Sequence, residues 1–178
     1  MNNVFLRGRN HDIFSWELLG DIKTGRGSLG VEVPVVMYRL MQFTMRDILV
    51  KEYGREKADD LMREAGRLAG TEFTRNELQT NEDFDGFMAN LQQTLQRLKV
   101  GILRVEFVSA DTGEITLTVS EDLDCSGIPI TNETVCSYDE GFIAGILAEY
   151  TNKEYTVQEV DCWADGDRTC RFNCTVTN

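Results

Sequence analysis

The sequence has a single histidine, no long hydrophobic run, and only four lysines or arginines after residue 100. The histidine, His11, lies in the N-terminal segment. Neither a haem axial imidazole nor a Ser-His or Cys-His nucleophile pair can therefore be assembled from the expected core. No window approaches 18 apolar residues, and the densest stretch, 33–38, is stopped by Arg39, so no bilayer span is expected. The first twenty residues interleave charges with apolar side chains and offer no uninterrupted apolar region or small-residue cleavage site. A secreted protein is not expected, and the chain reads as cytoplasmic.

Basic charge is also scarce. Eighteen Lys and Arg face 30 Asp and Glu, a formal net charge of −12. Residues 1–100 carry 14 basic and 15 acidic groups, whereas 101–178 carry 4 and 15. Such a field repels phosphate backbones and anionic membranes, so nucleic acid is excluded as the expected partner.

Five cysteines are present, an odd number that in a reducing compartment favours thiols or metal ligands over a disulfide framework. A chain of 178 residues that is 42% apolar fits one domain over residues 1–178. Within it, 1–30 form an N-terminal segment.

Residues 12–20 are compatible with a short helix, and glycines 25, 27 and 30 then break the chain. Pro34 fits the first position of a helix over 35–51 that is apolar nearly all round, with Arg39, Gln42 and Arg46 as its one polar stripe. That helix is expected to be buried on most sides. A second helix over 56–78 places Ala58, Leu61, Ala65, Leu68 and Ala69 on one face, and its small residues permit close backbone approach. A third, 83–99, spaces Phe87, Met88, Leu91 and Leu95 three and four apart until Gly101.

The period then changes to two. Strands are expected at 101–109 and 114–120 around Asp111-Thr112-Gly113, a hairpin signature. A helix at 138–150 and strands at 155–163 and 170–176 flanking Asp165-Gly166-Asp167 complete the order ααα-ββ-α-ββ. Blocks of helices and strands argue for an α+β fold, an antiparallel sheet with helices packed on one face.

Gly25-Arg26-Gly27-Ser28-Leu29-Gly30 matches G-x-G-x-x-G, but no apolar strand precedes it and no helix opens from it, so it reads as an ordinary glycine loop. Met37, Met41 and Met45 recur four apart and put three thioethers on one helix face, a soft surface for apolar ligands or for core packing. With Tyr38, Phe73 and Phe87 they are the candidate lining of a ligand pocket. The many carboxylates show no spacing that singles out an acid-base pair and are expected to be solvated.

The densest chemistry lies at the C-terminus. Cys136, Cys162 and Cys170 provide soft thiolate donors, with Cys162 and Cys170 flanking one turn, and Glu159 adds a carboxylate. A zinc site and buried metal-free thiols are both compatible with this spacing. Glu159 and Cys162 differ in strand parity, so a bulge must intervene if both face one metal.

Cys136 with Gly141 and Gly145, followed by Glu159, Cys162, Gly166, Cys170 and Phe172, fits E-x-x-C-x-x-x-G-x-x-x-C-x-F. Gly30, Gly54, Ala65-Gly66 and Ala69-Gly70 precede it. This pattern resembles the 4-vinyl reductase, or hydrocarbon-binding, domain family, which includes sensor domains of aromatic-responsive enhancer-binding regulators and is distantly related to trafficking-complex subunits. The resemblance implies a zinc ion held by Cys136, Glu159, Cys162 and Cys170 within a metal-binding helix and hairpin, residues 136–176. It also implies an apolar pocket between helices and sheet.

Cys125 and Cys174 fall outside the motif and read as ordinary thiols, with Cys174 a substitute that strand parity allows. The implied function is a stand-alone small-molecule-binding or sensory domain for a hydrophobic or aromatic ligand. A homodimer is implied as well, with the output signal leaving through that interface or a separate protein. Catalysis is not required. The alternatives are an enzyme or accessory protein in tetrapyrrole (vinyl reductase) metabolism, for which no hydride or electron-carrier motif is present, and a trafficking-like assembly subunit.

Overall fold

A computed structural model describes residues 14–177; His11 lies outside the described residues. The chain divides into two compact units at residues 32 and 33. The first contains a 3-10 helix, Trp16–Leu19, and the one-turn helix α1, Ile22–Gly25, whose N-cap Asp21 accepts a hydrogen bond from the Thr24 N–H at 3.0 Å. The glycine loop closes locally: Arg26 Nε donates to the Gly30 carbonyl at 2.8 Å, and Gly30 takes φ +74°.

In the second unit the helices are α2 (Val35–Tyr53), α3 (Arg55–Glu77), α4 (Phe84–Arg97) and α5 (Ser137–Thr151). The strands are β1 (Ile102–Val108), β2 (Ile115–Ser120), β3 (Tyr155–Asp161) and β4 (Cys170–Val176). The sheet has the order β1-β2-β4-β3 and every pairing is antiparallel. The expected α+β order is borne out. Pro34 stands one position earlier than expected, as the N-cap of α2.

Alternation along the strands sends Leu103, Leu117, Val119, Val157 and Phe172 into the core. They meet Phe87, Leu91 and Leu95 of α4 and Ile143, Ile146 and Leu147 of α5, all buried. The two hairpins turn where the sequence provides residues for it. Gly113 at φ +74° donates to the Ser109 carbonyl at 2.8 Å, and Gly166 at φ +106° ends a short 3-10 turn after Cys162.

Two expectations about the helices need correction. The helix surrounded on most sides is α5, not α2: eight of its fifteen residues are buried, including Glu140, whereas α2 has none. It is wedged between the sheet and α3. The buried face of α3 is Ala58, Met62, Gly66, Gly70 and Phe73, so Leu61, Ala65 and Leu68 lie off it.

The reason is the approach of α3 to α5. A Cβ on Gly66 would run into the Tyr138 carbonyl, and one on Gly70 into that of Phe142. Reciprocally, Gly141 and Gly145 of α5 lie against the Arg63 and Arg67 carbonyls. Glycine pairs spaced four apart on both helices let the backbones touch, and larger residues are displaced from that line.

Candidate metal centre and adjoining cavity

Four cysteines meet at the end of α5. Cys136 is the N-cap of α5, Cys162 follows β3, and Cys170 opens β4. Cys125 arrives from the connection between β2 and α5. Their sulfurs all lie within 4.8 Å of one another and all four side chains are buried. Cys136 stands 3.9 Å from both Cys162 and Cys170, and Cys125 stands 3.1 Å from Cys170.

A tetrahedron with metal–sulfur bonds of about 2.3 Å has sulfur–sulfur edges of about 3.8 Å. Two of the observed separations match that edge, so the donor set fits a thiophilic ion. Crowding also sorts the protons. Cys162 is pushed down because the Cys125, Cys136 and Cys170 thiols donate to it. Cys136 and Cys170 are pushed up, each first through its contact with Cys125.

The backbone explains how residues of unlike parity converge. The β3–β4 register shifts between Glu159 and Asp161, which supplies the bulge that Glu159 and Cys162 require to face one side. The turn after β3 is held by the Asp165 and Asp167 N–H groups, which donate to the Cys162 carbonyl at 3.0 and 3.1 Å.

Glu159 stands beside the thiols. Its Oε2 accepts the Cys136 N–H at 3.2 Å, while its buried Oε1 has no hydrogen-bond partner. Burial, and then the neighbouring Cys162, push its carboxyl up to about 8. Glu140 Oε1 accepts the Glu159 N–H at 2.8 Å and its Oε2 accepts from Arg63 Nε at 2.6 Å. These bonds tie α3, α5 and β3 together behind the site. Cys174 is buried in the sheet between Ile115 and Val157, outside the four-thiol group.

The expectation of solvated carboxylates also fails here. Asp122, Asp124, Glu140 and Glu159 are all buried. Asp122 Oδ1 accepts the N–H groups of Asp124 at 2.7 Å and Cys125 at 3.2 Å, a local turn that aims Cys125. Asp124 accepts from the Tyr38 hydroxyl at 2.8 Å and from Gln42.

Arg39 donates to the carbonyls of Leu123 (2.7 Å), Ser126 (2.9 Å) and Asp122 (3.3 Å). The polar stripe of α2 is therefore its inward face, clamping the loop that carries Cys125. Burial, and then Asp124, push Asp122 up to about 7, and burial holds Asp139 well above the ordinary carboxylate range.

Beside this polar group lies an apolar cavity of about 30 Å³, roughly room for two waters. It sits between α4, α5 and the sheet, and Leu95, Leu103, Leu117 and Ile146 are among its walls. Asp122 and Asp139 also face it.

The structure does not bring the six expected pocket residues to this cavity. Met37, Met41 and Met45 are 54%, 59% and 56% exposed on the outer face of α2. Tyr38 is held by Asp124. Phe87 stacks on Tyr150 with ring centroids 3.8 Å apart. Phe73 lies 5.2 Å from Phe142, which does line the cavity. Reasoning from sequence missed Cys125, Asp122 and Asp139. The one local signal was the Asp122-x-Asp124-Cys125 string, where short acidic residues precede a thiol and can turn the backbone onto their own side chains.

Residues 115–176 match the model of the V4R domain. The chain is 28% identical over 144 residues to the uncharacterized protein MJ1642 of Methanocaldococcus jannaschii, a span of 81% of this chain and 78% of that protein.

Among solved structures, a vinyl-4-reductase family protein of the same organism superposes with a TM-score of 0.58 at 15% identity, over 84% of this chain and 85% of that one. The phenol-responsive sensory domain of the transcription activator PoxR, solved with phenol, gives 0.63 at 15%, over 82% and 76%. Subunit 3 of the trafficking protein particle complex from Naegleria fowleri, covalently bound to palmitic acid, gives 0.63 at 12%, over 81% and 95%. The shared fold and the family-model match bear out the resemblance first read in Cys136, Glu159, Cys162 and Cys170: residues 115–176 are similar to a V4R domain.

Proposed function

We propose that this protein is a small-molecule-binding sensory module in which a zinc ion braces the C-terminal hairpin and the adjoining apolar cavity receives a hydrophobic or aromatic ligand. The observation that carries the reading is the contact between the two parts. The loop that holds Cys125 also contributes Asp122 to the cavity, and α5, capped by Cys136, contributes Ile146.

Cys125, Cys136, Cys162 and Cys170 are the zinc donors in this proposal, and Glu159 stands as a reserve carboxylate. Zinc bound there would supply charge neutralisation of the thiolates and a cross-link between β3, β4 and α5. A closed four-ligand site has no open position for substrate, so its role is structural. Occupancy of the cavity presses on α4, α5 and β1, and the loop at 122–126 connects that pressure to α2. The phenol bound to the PoxR domain and the palmitic acid bound to the trafficking subunit support an apolar ligand for this fold.

Native mass spectrometry of the purified protein tests both parts at once. The expected spectrum shows one zinc per chain and takes up an added aromatic or aliphatic probe. Zinc-free protein from a chelator-free preparation would refute the metal assignment, and failure to bind any apolar probe would refute the pocket.

A further inference from the structure

Cys125 and Cys170 stand closer than two ligands of one tetrahedral metal. Their sulfurs are 3.1 Å apart, whereas Cys136 stands 3.9 Å from both Cys162 and Cys170. The edge of a tetrahedral thiolate site measures about 3.8 Å and a disulfide bond about 2.05 Å, so this contact lies between the two. We propose that Cys125 and Cys170 form an oxidation site, which a hydroperoxide converts to a disulfide with release of the zinc. The metal released belongs to the function proposed above; the bond formed does not depend on it.

The site has one sulfur to spare. Glu159 adds a donor beside the same thiols, since its Oε2 accepts the Cys136 N–H at 3.2 Å and its carboxylate also meets the Cys136 and Cys162 side chains. When Glu159 serves as fourth ligand with Cys136, Cys162 and Cys170, Cys125 remains a thiol against the ligating Cys170 sulfur. The backbone keeps it there. The Cys125 N–H donates to Asp122 Oδ1 at 3.2 Å and its carbonyl accepts the Ile128 N–H at 3.1 Å, while Cys170 opens β4 opposite Val119. Closing the sulfur contact to a bond takes a movement of about 1 Å.

Burial limits which oxidant reaches the pair, for Cys125 and Cys170 are 0% and 1% exposed. The adjoining cavity brings a small neutral one close. It has roughly the room of two waters, and the Asp122 and Asp139 carboxylates in its wall come within 4.8 Å of the Cys136 sulfur. Hydrogen peroxide suits that space.

The Cys125 sulfur takes one oxygen of hydrogen peroxide as the O–O bond breaks, giving a sulfenic acid and one water. Cys170 then attacks that sulfur and the S–O bond breaks. The oxygen leaves as a second water, with the Cys170 proton or, when Cys170 comes off zinc as a thiolate, with a proton from solvent. The two sulfurs give up one electron each and the peroxide takes both. Cys136, Cys162 and Glu159 are left, and the closed four-ligand site is broken. A dithiol reverses the step by thiol–disulfide exchange.

The test treats the purified full chain with excess hydrogen peroxide, alkylates it with N-ethylmaleimide under denaturing conditions, and counts adducts by intact mass. Untreated protein should carry five adducts, one for each cysteine, and treated protein three. Peptide mapping should join the Cys125 and Cys170 peptides, zinc measured after gel filtration should fall in step with the adduct count, and dithiothreitol should restore all five. Cys125→Ser should keep its four thiols under the same exposure, and Cys174→Ser should still lose two. Five adducts retained after peroxide, a cross-link between Cys136 and Cys162, or thiols lost as sulfinic acid without a cross-link would overturn the proposal. A Cys125–Cys170 cross-link with zinc fully retained would overturn the coupling to metal release. Untreated protein without zinc would sink the metal reading alone, because the adduct count still decides the disulfide.

Discussion

The Cys125 and Cys170 sulfurs lie 3.1 Å apart although 45 residues separate them, and their meeting completes a group of four thiols with Cys136 and Cys162. Glu159, with its unpartnered Oε1, adds a fifth donor beside them. Five donors for four positions predict an asymmetric response to substitution. Cys125→Ser and Glu159→Gln should each retain one zinc per chain, because three cysteines and one further donor remain. The Cys125→Ser, Glu159→Gln double variant should lose it, as should Cys162→Ser. Elemental analysis after gel filtration decides this. Full zinc in the double variant would show that neither residue serves as the fourth ligand. Removing zinc with a chelator should also lower the thermal midpoint, since binding energy at a structural site is folding energy.

The α3–α5 contact leads to a second prediction. At Gly66 and Gly141 an added methyl would meet backbone carbonyls, which cannot rotate away as a side chain can. Gly66→Ala and Gly141→Ala should each destabilise by about 1–3 kcal/mol or more, at the upper end of overpacking effects. Gly27→Ala is the control, because only the Thr24 carbonyl lies near, at an ordinary 3.9 Å. Urea unfolding that ranks Gly27→Ala with the other two would show that close helix approach does not explain the four-residue spacing of glycines on α3 and α5.

The helices, the hairpins and the need for a bulge were legible from sequence because each is written in local periodicity. The break of register at Val160 follows from the unlike parity of Glu159 and Cys162 once both are required on one side. The orientation of α2 was not legible. Its apolar composition suggested burial, but the helix instead turns the half-buried Tyr38, Arg39 and Gln42 toward partners 82 to 87 residues away, and no local pattern encodes those bonds. Cys125 was hidden for the same reason. It belongs to no spaced motif, and only the turn made by Asp122 brings it to Cys170. The acidic residues of the interior were lost in a sequence whose acidic surplus makes any one carboxylate look solvated.

Those buried acids set a pH dependence for the metal-free protein. Asp122 rises from an ordinary carboxylate value to about 7 and Glu159 to about 8, each chiefly through burial. Both folded values exceed the unfolded ones. The native state therefore holds more protons than the unfolded chain between about pH 4 and 8, and its stability falls as pH rises through that window. Zinc acts in the opposite sense, because its thiol ligands must lose protons to bind, so the stabilisation by zinc should grow with pH. Urea unfolding at a series of pH values, with chelator and with zinc, separates the two curves. Chelated protein that gains stability from pH 4 to pH 8 would contradict the assignment of Asp122 and Glu159 as protonated buried groups.

The outward face of α2 supports the last prediction. Val36, Met37, Leu40, Met41, Met45 and Ile48 are all more than half exposed, whereas Tyr38, Arg39 and Gln42 point to the body of the protein. Their spacing of three and four forms a continuous apolar stripe along one helix, of the kind that pairs with a like helix across a two-fold axis. A homodimer through α2 is expected at tens of micromolar by light scattering. Leu40→Asp and Met41→Asp change residues without buried contacts, so each should shift the protein to monomer while leaving the circular-dichroism spectrum and zinc content unaltered. Arg39→Ala is the informative contrast. It leaves the outer stripe intact but releases the carbonyls of Asp122, Leu123 and Ser126, so it should preserve the dimer and weaken zinc retention in competition with a chelator. A monomeric unaltered protein would remove the dimer. Loss of dimer in Arg39→Ala with zinc binding unchanged would reverse the roles assigned here to the two faces of the helix.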